Sequence, residues 1–345
     1  MVLVMGATAL GGCDLHLATS PGSLPTLEGT AALRDAAART EDAAAERADS
    51  LARLATQCEE CRAALTAVAK DSRTRLQALG GVWDPWGTTT PEGAESVDPV
   101  ADAPMTPEVF VSWLAATAER DLRAVSTDTA VKADDARTLA SAAVGRLRSA
   151  HTLASVYGVS LDAGDATLTE LTDRIDALLG ADAPGGWSLG AGSGNGDAQS
   201  GSSASPSPSA PDASASPSSI PSENADVQRS EQLSGAVRTW DCVAQTLPRA
   251  QVVDKTLDDA SDKADVLLAR ATAVLDSGVA DTRAQRCRLK DSKLDHLGDL
   301  LVSADLELFT SDSATVRGLG MRFVTQDATL LGASTGDALP GTAKG

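Results

Sequence analysis

The chain has 345 residues, with 48 Asp and Glu against 29 Lys and Arg, and a formal net charge of −19. This surplus of negative charge repels phosphates and anionic lipid headgroups, so the composition excludes nucleic acid as a partner. Alanine is abundant, only 3% of residues are aromatic, and β-branched runs are scarce. Such a composition favours helix over sheet and predicts an all-α fold.

The N-terminal stretch MVLVMGATALGG is uncharged and ends at Cys13, after which the sequence becomes polar. It is too short to span a bilayer, which takes roughly 20 apolar residues. The tetrad Leu10-Gly11-Gly12-Cys13 resembles the lipobox of bacterial lipoproteins. In that family the preceding peptide is removed and the cysteine thiol carries a diacylglycerol. The resemblance implies that residues 1–12 are a leader and that Cys13 holds the mature chain on the outer side of the membrane through its lipid.

One feature of this N-terminus departs from a secretory signal, because no Lys or Arg precedes Cys13. We therefore expect the natural start to lie upstream of Met1. The competing interpretation is an apolar strand or helical turn that carries an incidental cysteine. The abrupt change of polarity after Cys13 favours lipidation.

A long segment rich in Ser, Pro, Gly and Ala predicts a disordered linker, because it cannot bury enough apolar area to offset the entropy of ordering. The predicted architecture is two antiparallel helical bundles of the four-helix type joined by this linker. The predicted boundaries are a leader at 1–12, a tether at 13–27, an N-terminal bundle at 28–184, the linker at 185–224, a C-terminal bundle at 225–333 and a tail at 334–345.

Helical periodicity is clearest from Leu33 to Leu79, where neither Gly nor Pro occurs. One long helix or two antiparallel helices fit this pattern. We favour two helices broken near residues 55–60, because a compact domain needs neighbours against which to bury the apolar stripe. The other helices predicted in this half begin at Thr106 with Pro107 as the first helical residue, run from about Asp128 to Tyr157 before Gly158, and cover a short amphipathic stretch at 168–179.

The C-terminal half shows the same periodicity after the linker. An apolar stripe from Leu233 to Leu247 predicts a helix that ends at Pro248. The next stripe predicts a helix from Val253 to Leu275 that ends at Gly278. Two further helices are predicted at about residues 291–309 and 313–331.

Four cysteines remain besides Cys13, and an even number in an exported protein predicts disulfides. Cys242 lies opposite the apolar stripe of its helix, which favours a bond to Cys287. Cys58 and Cys61 form a C-x-x-C pair, but no βαβ pattern surrounds it and two acids lie between the thiols. We interpret this pair as a structural disulfide or an inert pair facing the core.

The sequence predicts no catalytic residue, cofactor or metal ligand. A di-metal helical bundle would use Glu-x-x-His pairs, whereas Arg148 precedes His151 and Lys293 precedes His296 at that spacing. His296 could hold a loose divalent cation together with Asp295 and Asp299, but this face lies opposite the leucine stripe and is interpreted as a solvated acidic face. The G-x-S-x-G string at 186–190 lacks the strand and helix of a nucleophile elbow.

Two short stretches carry a second resemblance. They are RLQALGGVW at 75–83, followed by Asp-Pro-Trp, and LDSGV at 275–279, followed by Ala280 and then Asp281-Thr282-Arg283. They are similar to poorly characterised actinobacterial lipoproteins, some of which are described as ferritin-like. The resemblance implies paired four-helix folds without a working ferroxidase centre. Cys13 is the one functional residue that it carries over to this chain.

These observations lead to two functional hypotheses. The first is a lipid-anchored extracytoplasmic protein that acts as a non-catalytic interaction or scaffold protein, with the membrane and an envelope protein as partners. The alternative is a helical bundle that binds a small molecule or metal through a degenerate ferritin-like site, near Trp83, Trp86 or Trp113. An enzyme is the third and least supported interpretation.

Overall fold

The protein is helical throughout the part of the chain that its computed structural model describes. Described residues are 24–87, 92–128, 130–161, 223–255, 257, 259–289, 291–331 and 338–342, and within these ranges there is no strand. The predicted all-α fold is confirmed. The described helices are α1 (Gly29–Leu54), α2 (Glu59–Ala78), α3 (Pro107–Thr127), α4 (Ala133–Tyr157), α5 (Glu223–Gln228), α6 (Glu231–Val253), α7 (Ala260–Asp276), α8 (Leu294–Leu308) and α9 (Ala314–Leu330).

Several predicted features lie outside the described residues. They are the leader, Cys13, the amphipathic stretch at 168–179, the linker as far as residue 222 and the G-x-S-x-G string. None of the described helices is both long enough and apolar enough to cross a bilayer.

Helices α1–α4 form the N-terminal group, in which α1 packs on α2 and α3 on α4. The predicted break between the first two helices is confirmed, and it lies at residues 55–58. Cys58 has extended backbone angles and accepts a hydrogen bond from the Cys61 N–H, so it caps α2 without a glycine or proline. Pro107 begins α3 as predicted, whereas α4 begins at Ala133, five residues later than expected, and ends at Gly158 with a φ of 64°.

Helices α5–α9 form the C-terminal group, where two boundaries differ from the prediction. Helix α6 continues through Pro248 to Val253 instead of ending at the proline, and α7 begins only at Ala260. Proline removes one helical hydrogen bond. Leu247 and Ala250 are fully buried on either side of the exposed Pro248, so burial of the apolar stripe outweighs that loss.

The two groups share a hydrophobic cluster. Leu122 and Val144 of α3 and α4 pack in the same cluster as Leu306 of α8 and Val324 of α9. Helix α9 contacts both α3 and α4, and α8 contacts α4. The described helices on the two sides of residues 162–222 are therefore joined by packing as well as by the chain.

The described C-terminal segment at 338–342 lies against α4. The Ser141 hydroxyl donates to the Pro340 carbonyl at 2.7 Å, and the Arg137 guanidinium donates to the Gly341 carbonyl at 2.6 Å. Gly145 makes the close approach possible, because a Cβ at this position would overlap the Ala338 carbonyl oxygen. Backbone groups of the segment thus replace a side chain on the surface of α4.

Candidate functional site

The N-terminal group has a buried ionic centre to which each of its four helices contributes one residue. Arg75 Nε lies 3.0 Å from Glu41 Oε2, and Arg146 Nη2 lies 2.9 Å from Glu41 Oε1. Arg146 Nη1 reaches Asp121 Oδ2 at 2.8 Å. The side chains of Glu41, Arg75 and Arg146 have no exposed surface. Two carboxylates and two guanidinium groups therefore neutralise each other inside the protein. We call these four residues, Glu41, Arg75, Asp121 and Arg146, the N centre.

The charged groups of the N centre are stabilised by the opposite charges of their partners. Burial opposes the charge of Arg146, but Glu41 and Asp121 outweigh it, so the pKa of Arg146 lies above its ordinary value. Arg75 Nη2 also donates to the Ser72 hydroxyl at 2.9 Å. Since the centre is closed to solvent, a metal or substrate could enter it only by breaking ion pairs.

The C-terminal group has a second buried centre, the C centre, again built from four helices. Arg270 of α7 pairs with Asp327 of α9 through two contacts of 2.7 and 2.8 Å. Trp240 of α6 donates its indole N–H to Asp305 of α8 at 3.0 Å. The guanidinium carbon of Arg270 lies 5.2 Å from the Trp240 ring centroid and 4.6 Å from that of Phe323. Cation–π contacts here complement a bidentate ion pair.

Asp305 is the unbalanced group of the C centre. Burial, first, and the neighbouring Asp327 carboxylate, second, raise the pKa of Asp305 well above its ordinary value, against the opposing effect of Arg270. Its Oδ2 atom is buried and accepts no hydrogen bond. A proton on Oδ2 would remove the like-charge repulsion, so burial and the Asp327 carboxylate favour the protonated form of this carboxyl group.

Sequence reasoning missed both centres, although two pairs of similar short strings contain some of their residues. Residues 37–42 read AARTED and residues 236–241 read AVRTWD, which aligns Glu41 with Trp240. Likewise 121–128 reads DLRAVSTD and 305–312 reads DLELFTSD, which aligns Asp121 with Asp305. The aligned residues occupy corresponding places in the two centres. We call residues aligned in this way counterparts.

The three residues of the predicted acidic face on α8 have different surroundings in the structure. Asp299 pairs with Arg148 of α4 at 2.9 Å, so it joins the two helix groups. His296 is partly exposed and Asp295 is exposed. His151 is half-buried, and burial lowers its pKa. Across the described residues, no group of three or more His, Cys, Asp or Glu side chains is arranged to hold a metal ion.

The four described cysteines are paired as Cys58–Cys61 and Cys242–Cys287, each with a Cα–Cα distance of 5.2 Å. The first pair lies at the N-terminus of α2, where the Cys61 N–H points at the Cys58 sulfur from 3.1 Å. The second ties α6 to the segment that connects α7 with α8. Both pairings agree with the interpretation reached from the sequence.

The three tryptophans considered for ligand binding make local contacts. Trp113 stacks on Phe110 with ring centroids 6.0 Å apart. The Trp83 backbone N–H donates to Asp35, and the Trp86 indole N–H donates to the Glu95 carbonyl. They support the packing of α3 and of the segment that follows α2.

An accessible hollow lies on the surface of α6, with a volume of about 270 Å³. Arg238 of α6 lines it together with Arg286 and Arg288 from the α7–α8 connection. All three arginines are exposed, and none has an ion-pair partner within the described part of the chain. Apolar side chains complete the wall: Val243, Leu289 and Leu300. We call this hollow the arginine groove.

Comparison with known proteins gives no match: no family model, no curated protein and no solved structure corresponds to this chain.

Proposed function

We propose that the protein is a non-catalytic binding or scaffold protein of the cell envelope, held at the membrane by a lipid on Cys13. The observation that carries this proposal is that the middle of each helix group is filled by ion-paired arginine. Arg146 and Arg270 have no exposed side-chain surface. Helical bundles that carry out metal chemistry use this interior position for carboxylate and histidine ligands.

The accessible features of the described chain support binding rather than turnover. The ionisable groups that burial perturbs most are closed inside the two centres, whereas the arginine groove opens to solvent. An active site combines perturbed ionisable groups with an open cleft. Here the two properties lie in different places.

The proposed anchoring rests on the lipobox-like tetrad Leu10–Cys13. With it we propose two ferritin-like bundles, descended from one four-helix unit, joined by the Ser/Pro/Gly/Ala linker at 185–224. The repeated AARTED and AVRTWD strings support a duplicated unit. The similarity to actinobacterial lipoproteins supports the envelope location.

Metabolic labelling with palmitate tests the anchor. We expect label on the native chain, loss of label in Cys13→Ala, and full label in the control Cys58→Ala/Cys61→Ala. Co-purification from crosslinked envelopes then asks whether a specific protein accompanies the chain. Mass spectrometry that finds native residues 1–13 intact and unacylated would contradict the proposal.

A metal- or small-molecule-binding bundle is the alternative function. The observation in its favour is the pair of neighbouring carboxylates, Asp305 and Asp327, on facing helices of the C centre. If this pair is a degenerate metal site, adding Fe²⁺ or Mn²⁺ to the full chain should raise its melting temperature, and Asp305→Asn should abolish the shift. An unchanged melting temperature supports the scaffold role.

A further inference from the structure

We infer that the arginine groove binds an acidic peptide segment of a partner protein. This inference deepens the binding role proposed above by naming the chemistry of the partner, and it does not depend on the lipid anchor. Its basis is the contrast between the surface of α6 and the equivalent surface of α1.

The groove is a basic site in an acidic protein. The chain carries a net charge of −19, yet the segment at 281–293 has five basic residues and two acidic ones. One acid lines the groove, Asp241, and this residue is mostly buried and accepts a hydrogen bond from Gln245. Arg238, Arg286 and Arg288 therefore remain available for negative charges from outside.

The N-terminal group shows what covers the equivalent surface. Arg39 is the counterpart of Arg238 in the repeated strings. The Arg39 guanidinium donates to Asp35 at 2.7 Å and to the Asp98 carbonyl at 2.8 Å. The segment around Asp98, residues 92–104, has four acidic residues and no basic ones.

This acidic segment packs along α1. Ala103 is buried in the cluster that contains Ala44 and Ala48, and Val100 packs against the same cluster. Within 94–104 the segment has no helix or strand. An irregular acidic segment thus occupies the α1 surface. Its Asp98 backbone carbonyl accepts a hydrogen bond from Arg39, whose carboxylate partner Asp35 lies on α1 itself.

In the C-terminal group, no described residue covers the corresponding surface. Its connecting segment contacts α6 at Ser234, through Ala280 and Thr282, and contacts α6 again through the disulfide to Cys242. Arg238 lies between these two points and is exposed. Among the described residues, the arginine groove thus has no segment over α6 that corresponds to the acidic segment 92–104 over α1.

Three guanidinium groups on two separate elements favour a ligand with several negative charges. A single small anion would leave most of the arginine charge unneutralised, whereas an acidic peptide can place successive carboxylates along the groove. The partly exposed Leu289 and Leu300 add apolar contact area for a peptide's aliphatic side chains.

Fluorescence anisotropy with a labelled peptide of residues 92–104, EGAESVDPVADAP, tests the inference on the purified, oxidised full chain. We expect saturable binding that weakens as NaCl rises from about 50 to 300 mM, since exposed charges are screened over this range. The triple variant Arg238→Ala/Arg286→Ala/Arg288→Ala should weaken binding at least tenfold. Arg249→Ala, an exposed arginine on the same helix outside the groove, should change it less than twofold.

Three results would overturn the inference. One is that the triple variant still binds the peptide, or that a peptide with Gln and Asn in place of its acidic residues still binds the native chain. Another is competition by glutarate at the same carboxylate concentration, which would identify a small-anion site. The third is binding that requires replacement of residues 162–182 by a neutral sequence, which would make this chain's own acidic segment the occupant. Anchor loss in Cys13→Ala leaves every one of these outcomes unchanged.

Discussion

The N centre and the C centre each have an arginine, on α2 and α7, and an aspartate on the next helix, α3 and α8, but they balance charge differently. In the N centre, Glu41 and Asp121 face two guanidinium groups, those of Arg75 and Arg146. In the C centre, Trp240 takes the place of Glu41. Helix α1 thus supplies a carboxylate to the N centre, whereas α6 supplies an aromatic ring to the C centre.

The difference shows how a repeated helical arrangement accommodates a changed charge count. The C centre has one guanidinium, Arg270, for the two carboxylates of Asp305 and Asp327. A second ionised carboxylate would have to share this one cation, so burial and repulsion from Asp327 favour the protonated form of Asp305. The rings of Trp240 and Phe323 meanwhile cover the faces of Arg270. Proton uptake and cation–π contact replace the second ion pair.

The largest effect is expected from breaking the N centre with Glu41→Gln. This change removes the carboxylate that serves both Arg75 and Arg146, and leaves buried guanidinium charge without compensation. Loss of one partner from a buried ionic network costs about 3–5 kcal/mol. Denaturant unfolding should show this loss, with Glu46→Gln on the exposed face of α1 as the matched control. Equal stability of the two variants would show that the ion pairs of Glu41 do not contribute to the free energy of unfolding.

A smaller loss is expected from Asp327→Asn in the C centre. Arg270 then loses its bidentate carboxylate but keeps Gln326 at 3.2 Å and the two aromatic rings. We expect about 2–3 kcal/mol, at or below the lower end of the range for a broken buried pair, because cation–π contacts contribute up to about 2 kcal/mol when desolvated. The same unfolding experiment measures it. A loss larger than that of Glu41→Gln would reverse the ranking of the two centres.

The smallest effect is expected from Asp305→Asn in acid, where residue 305 carries no charge in either chain. The amide oxygen can accept from Trp240, and the amide N–H can donate toward Asp327, as a protonated carboxyl group does. Because the folded pKa of Asp305 is raised, its contribution to stability is complete below the unfolded pKa, about 3.9, and is lost as the pH rises through the folded pKa.

Melting temperatures from pH 4 upward check this sign. The native chain should lose stability relative to Asp305→Asn as the pH increases, and the two should converge in acid. Asp295→Asn, an exposed substitution on the same helix, should run parallel to the native chain. If the native chain instead became more stable than Asp305→Asn as the pH rises, Asp305 would be ionised in the folded protein.

Local patterns in the sequence were sufficient for most helix boundaries. The start of α3 at Pro107 and the helix ends near Gly158 and Gly278 follow from residues near each boundary. The break between α1 and α2 has no such local signal, and the need to bury the apolar stripe against a neighbouring helix predicted it. The predicted helix end at Pro248 was wrong. The low helix propensity of proline costs less free energy than burial of Leu247 and Ala250 on either side of it provides. The buried arginines were missed because a charged residue on a helix predicts a solvated face unless its partner on another helix is known.

The sequence alone determined that the chain is helical and roughly where most of the helices lie, because periodicity and capping are properties of neighbouring residues. It favoured a Cys242–Cys287 bond but left open whether Cys58 and Cys61 are bonded. Only the tertiary structure decided that Glu41, Arg75, Asp121 and Arg146 meet and that Asp305 shares one guanidinium with Asp327. It also decided that Arg39 contacts Asp98, whereas Arg238 has no ion-pair partner among the described residues. Each of these depends on residues far apart in the chain. Long-range electrostatics and packing assign their roles, and no local pattern specifies them.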